Sequence, residues 1–111
     1  MIKLICKHVI FGSENDEYAF DEWITRIKCV KRWEGAGDEV HLYVTGRNIS
    51  QMCLRDLTAF FYRYHIDMQQ LRQLVSKRNE AWYTNQTAYW HKGVYGKQPQ
   101  KARPKRDCPR E

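Results

Sequence analysis

A helix boundary is spelled out at Tyr64-His65-Ile66-Asp67-Met68, and it limits how this chain can fold more than any other feature. Asp67 is a residue type that caps a new helix, and Gln70 stands three residues on, where it can return the bond. Ile66 and Leu71 occupy the two positions of a hydrophobic staple across that cap. His65 falls at the end of the preceding helix, where a side chain of its type favours the dipole and can bond free carbonyls. One helix stops here and another starts almost at once, so the two must pack side by side or cross sharply.

Upstream, Ser50 is placed to cap, and Cys53, Leu57, Phe60, Phe61 and Tyr64 form an apolar stripe with Arg55, Asp56 and Arg63 outside it. Downstream, Leu71, Leu74, Val75, Arg78 and Trp82 predict a second helical stripe. Beyond it Tyr89, Trp90, Val94 and Tyr95 are expected to fold back, because together they would otherwise expose a large apolar patch.

The other half of the chain reads differently. Residues 2–11 alternate, with Ile2, Leu4, Cys6, His8 and Ile10 on one side, and their β-branched content predicts a strand. His8, on that apolar side, is expected to be a hydrogen-bonded core histidine. Phe20, Trp23, Ile24 and Ile27 then recur at helical spacing, with acids crowding the start and Arg26 and Lys28 at the end, a polarity that complements a helix dipole. Residues 29–34 and 39–45 predict two strands joined through Gly35-Ala36-Gly37-Asp38, a hairpin with a loop of about four residues. The inward side of the first of these strands stays ambiguous, since neither Val30/Arg32 nor Lys31/Trp33 is cleanly apolar. The expected fold is α+β in the order β-α-β-β-α-α, a small three-stranded sheet with helices packed on one face. The other sheet face is left for solvent or a partner.

A length of 111 residues predicts one domain, residues 1–96, with little room for a separate catalytic cleft. The net charge of +6 divides unevenly. Residues 1–96 carry 13 Lys and Arg against 11 Asp and Glu, whereas residues 97–111 carry 6 against 2. That basic tail holds three prolines and no aliphatic side chain larger than Ala102, so it is expected to be disordered. Cys6, Cys29, Cys53 and Cys108 show no paired spacing of the kind zinc needs, and the first three sit in apolar contexts. Lys3 and Lys7 interrupt any apolar leader, and no run approaches membrane-spanning length. A reducing cytoplasm and no membrane are the expectation.

Chemistry is hard to place. Catalysis would need one of His8, His41, His65 and His91 to meet a carboxylate and a nucleophile, and no spacing indicates that. No catalytic residue, cofactor or metal ligand is therefore assigned. Binding is easier to place. Glu14, Asp16, Glu17, Asp21 and Glu22 make one acidic stretch, and Trp33, Tyr43 and Trp90 are aromatics of the kind used at interfaces. These eight are the candidate partner-binding residues. Lys3, Lys7, Lys31 and Tyr43 could share an open sheet face, which with the tail gives an alternative as a small nucleic-acid-binding protein. The aromatic signature of an RNA-recognition sheet is absent.

Three segments carry a resemblance: Trp33-Glu34-Gly35-Ala36-Gly37-Asp38-Glu39-Val40, Arg63 through Leu71, and Tyr89-Trp90-His91-Lys92-Gly93-Val94-Tyr95-Gly96. Over roughly residues 10–96 the chain resembles small bacterial proteins similar to the immunity partners of polymorphic and contact-dependent toxins. The resemblance implies a protein that binds a cognate toxin domain without catalysis or cofactor. It assigns no role to any single position.

Overall fold

The computed structural model describes residues 1–45 and 49–96, so the expectations for the tail at 97–111, for Cys108 and for the loop at 46–48 lie outside the described residues. The elements are β1 (Ile2–Lys7), α1 (Glu14–Arg26), β2 (Val30–Ala36), β3 (Glu39–Val44), α2 (Gln51–Arg63), a 3₁₀ segment (Met68–Leu74), α3 (Glu80–Tyr83) and α4 (His91–Tyr95). This is the expected α+β fold with a three-stranded sheet. The last long helix of the expected order is replaced by three short ones.

β3 lies in the middle of the sheet, antiparallel to β1 on one side and β2 on the other. The consecutive strands β1 and β2, joined through α1, are thus split by a later strand. Leu4, Cys6, Leu42 and Val44 point to one face and are fully buried, while Lys3 and Lys7 on the alternate positions are exposed. The ambiguity in β2 is resolved by a bulge. The register shifts between Val30, which opposes Val44, and Arg32, which opposes Tyr43, leaving Lys31 as the extra residue. Val30 and Trp33, three apart, therefore both reach the core side, which strict alternation forbids.

The hairpin is tighter than expected. Ala36 opposes Glu39, so only Gly37 and Asp38 form the loop, and Gly35 and Ala36 belong to β2. Gly37 has φ 66° and Asp38 does not share that sign, the pattern of a type II′ turn, whose first central position calls for glycine. β1 is shorter than expected. It ends at Lys7, and His8 turns out of the sheet at φ 52°, its N–H donating to Asp38 O at 3.3 Å and its Nδ1 lying 2.8 Å from Asp38 Oδ2. His8 is exposed, so the expectation of a core histidine is corrected: the residue ties the end of β1 to the hairpin tip.

Ser13 caps α1 by accepting the Asp16 N–H, and Ser50 caps α2 by accepting the Cys53 N–H. The two helices meet through rings. Phe20 lies 4.9 Å from Phe60, and Trp23 lies 5.2 Å from Phe60.

α2 ends as its sequence predicts, and the geometry explains how. The Ile66 N–H reaches Phe61 O at 2.9 Å and the His65 N–H reaches Tyr62 O at 3.4 Å, the paired bonds of a Schellman stop. His65 takes the left-handed position at φ 58°, where glycine is usual. Asp67 caps the next element, accepting the Gln69 N–H at 3.0 Å. That element is a 3₁₀ segment and not the expected α-helix, a correction with a clear cause. Met68, Leu71 and Leu74 are buried and three apart, which lines them up on a helix of three residues per turn but spirals them off an α-helix. Gln70 does return to the cap residue, though to its carbonyl and not its N–H: the side-chain amide donates to Asp67 O at 2.9 Å. The same amide bridges the outer edge of β1, accepting from Ile5 N at 2.6 Å and donating to Ile5 O at 2.8 Å.

Asn79 ends the 3₁₀ segment's influence and starts α3. It is 5% exposed, accepts the Ser76 N–H at 2.8 Å and donates to Leu74 O at 3.0 Å. The coda does fold back, with Trp90 and Val94 buried in the common core. Arg72 Nε donates to Val94 O at 2.6 Å, and Gly93 lies so close to Met68 that a Cβ there would stand 2.7 Å from its sulfur.

Candidate interaction surfaces

The acidic stretch lies on one helix, and its members have different jobs. Asp16 is structural: one carboxylate oxygen accepts the Gly12 N–H at 2.9 Å, and the other accepts the Tyr64 hydroxyl at 3.4 Å. Burial first, and then the Asp16 carboxylate, raise the Tyr64 hydroxyl's pKa above its ordinary value. Glu14, Glu17, Asp21 and Glu22 stand at i−4, i−1, i+3 and i+4 from Tyr18, which is 75% exposed. A tyrosine therefore projects between three carboxylates on its own side of the helix, Glu14, Asp21 and Glu22, while Glu17, the adjacent residue, faces another side. Arg26 engages Glu22 at 3.3 Å, and among the described residues no ion pair engages Glu14, Glu17 or Asp21. A hollow of about 250 Å³ beside the ring is lined by Tyr18, Asp21, Glu22 and Thr25.

Trp33 and Tyr43, both expected at an interface, lie on opposite faces of the sheet. Trp33 is half-buried against the core through the β2 bulge. Tyr43 is on the far face, where Lys3 opposes it from β1 and the Arg32 guanidinium covers its ring at 3.9 Å. Arg32 also binds Glu34 at 2.9 Å, and Glu39 binds His41 at 2.9 Å. The far face thus mixes signs: Lys3, Lys7 and Arg32 alternate with Glu34 and Glu39. Lys31, the bulge residue, has no cross-strand partner.

Trp90 is corrected as a contact residue, being 6% exposed. Its indole N–H donates to Tyr83 O at 2.7 Å, and its ring stacks on Tyr83 at 5.2 Å. The Tyr83 hydroxyl shares a 2.8 Å bond with Thr58, whose hydroxyl donates onward to Leu54 O at 2.7 Å when Tyr83 supplies the other proton. Burial raises the Tyr83 pKa, which keeps that hydroxyl a donor. What Trp90 does is support an outer layer that sequence patterns did not disclose. Tyr89 packs on it edge-on at 5.1 Å, Tyr62 packs on Tyr89 at 4.9 Å, and Arg55 lies over Trp82 at 4.5 Å. Three aromatic residues clustered at 82, 89 and 90 were a signal for it, but the α2 partner positions were not.

Among the described residues no three His, Cys, Asp or Glu side chains converge in a way that could hold a metal ion. A groove of about 570 Å³ runs beside the outer edge of β1, lined by Ile5, Lys7, His65, Asp67, Gln69 and Gln70. Cys6, Cys29 and Cys53 are free thiols. Burial pushes the Cys6 thiol up to about 12; burial, and then a hydrogen bond with Cys53, push Cys29 up to about 12 as well. No described helix is long and apolar enough to cross a membrane. No family model, curated protein or solved structure matches the chain. The likeness to toxin-immunity proteins therefore rests on the three sequence segments alone.

Proposed function

We propose that this chain is a non-catalytic cytoplasmic binding protein, an immunity protein that neutralises a cognate toxin domain by covering its working surface with α1. The supporting observation is Tyr18, exposed between Glu14, Asp21 and Glu22 on one side of α1. Tyrosine is a common anchor of binding energy, because it buries a large rigid surface at little entropic cost and keeps a hydroxyl for bonding. Carboxylates around it steer a basic partner and set the register of docking. A basic toxin surface, such as one that grips a phosphate backbone, is the complement.

The test is calorimetric titration against the C-terminal module of a secreted protein encoded just upstream. Tyr18→Ala should weaken binding by about 2 kcal/mol or more, as for an interface anchor. Reversing Asp21 and Glu22 to Lys should mainly slow association and flatten its salt dependence. Absence of binding at micromolar concentrations removes the proposal.

A second reading, nucleic-acid binding, draws on the row Lys3–Tyr43–Arg32 across the far sheet face. Glu34 and Glu39 interrupt its positive field, which weakens the reading. Deleting residues 97–111 and measuring affinity against salt separates the two: phosphate contacts give a steep slope.

A further inference from the structure

Of six large apolar side chains exposed among the described residues, Tyr62 and Tyr89 are in contact, and Met52 stands about three turns from Tyr62 along the same side of α2. Met52, Arg55 and Tyr62 share one side of α2, at i, i+3 and i+10. Tyr89 joins them through its 4.9 Å contact with Tyr62, and Trp82 through the Arg55 guanidinium above it. Isolated exposed apolar residues are ordinary, but the connected group of Tyr62, Tyr89, Trp82 and Arg55, with Met52 one turn beyond Arg55, has the composition of interface centres. The layer is also rigid, because Tyr89 and Trp82 rest on Trp90, which is pinned to Tyr83 O. A surface ordered in advance loses little entropy when something binds it.

Charge selects the occupant. Arg55 is exposed and has no carboxylate partner among the described residues, and residues 49–96 carry six Lys and Arg against three Asp and Glu. Ring geometry selects its class. Tyr62 meets Tyr89 at 73°, and a face of Trp82 is covered by Arg55, so the rings form no open ladder on which successive bases could stack. We propose that Met52, Arg55, Tyr62, Trp82 and Tyr89 form a second docking surface, for an acidic segment of a partner protein that seats an apolar side chain on the tyrosines and a carboxylate on Arg55. It is opposite in sign to the α1 face and does not depend on that face's function.

Two-dimensional amide NMR of the full chain tests this, with a short peptide of Asp, Glu, Leu and Phe as probe, its Lys-substituted counterpart, and an oligothymidylate. The acidic peptide should shift α2 and the Trp82 and Trp90 indole signals, leaving Tyr18 unmoved. Arg55→Glu, an exposed change that leaves the remaining spectrum intact, should weaken that binding about tenfold or more, as should Tyr62→Ala. The proposal is overturned by no shifts at about 1 mM peptide, a range that still detects weak docking; by equal binding of the Lys counterpart; by an unaffected Arg55→Glu; or by oligothymidylate taking this face in preference. Shifts here that grow with protein concentration alone would assign the surface to a second copy and overturn it too.

Discussion

Residues 1–45 and residues 49–96 satisfy the backbone groups of a small interior by different means. In the first stretch two antiparallel ladders centred on β3 do most of the work, and side chains fill in around them. In the second, much of the chain past α2 is too short-ranged for ladders, and individual side chains take their place. The Trp90 indole holds Tyr83 O, Asn79 holds Leu74 O and the Ser76 N–H, and Arg72 holds Val94 O. A ladder shares its load among many bonds. A single amide or indole does not, and a buried partner left without it bears the full cost of desolvation. The C-terminal part should therefore be the more sensitive to isolated polar changes.

The strongest test of that contrast is Trp90→Ala, which removes both a buried ring and the donor to Tyr83 O. It should cost about 3–5 kcal/mol in urea denaturation, and Trp90→Phe, which keeps most of the ring, should isolate about 1–3 kcal/mol for the lost donor. Next is Asn79→Ala, expected to cost about 2 kcal/mol by stranding Leu74 O and the Ser76 N–H. Its counterpart in the sheet, Glu34→Ala, should stay within about 0.5 kcal/mol; equal losses for the two would erase the distinction. Smaller and opposite in sign, His65→Gly should raise stability by about 1 kcal/mol, because glycine accepts the left-handed stop of α2 without the steric penalty of a Cβ. A loss instead would mean that the imidazole contributes more than its strained backbone takes away.

The smallest effect at neutral pH concerns the thiols. Cys6 and Cys29 are held as neutral thiols, with values near 12 in place of an ordinary 9.0. Their contribution to stability is complete below pH 9 and is lost as pH climbs toward 12, since unfolding releases protons there. Thiolate absorbance in the folded protein should accordingly lag behind that of the unfolded chain. Titration of both thiols at the ordinary value would show that the core is open to water.

The same contrast decides what could be read from the residues. Period-2 alternation in β1 and β3, the apolar spacing and charge polarity of α1 and the cap at Ser50 are local patterns, and they gave the sheet and both long helices their places. The β2 bulge escaped because Val30 and Trp33, three apart, fit no strict strand. The 3₁₀ segment escaped for a related reason: Leu71 and Leu74 also belong to the α-helical stripe read onward through Val75, Arg78 and Trp82, and the burial of Met68 three residues before them shows only in the packed structure. Among surfaces, the acids around Tyr18 were visible because they lie on one helix. The Tyr62–Tyr89 surface was not, being assembled from distant segments, and Trp90 was misplaced because its partner is a backbone carbonyl that no side-chain pattern announces.

Gln70 has a bearing on the order in which the molecule is made. β1, made before the other described strands, has its inner edge paired by β3, and Ile5 on its outer edge finds its partner only when residue 70 arrives. The 3₁₀ segment that carries Gln70 is in turn braced by Val94 and Gly96. Synthesis must therefore run nearly to residue 96 before β1 can settle, and until then the nascent strand keeps an unpaired edge that another polypeptide could take up.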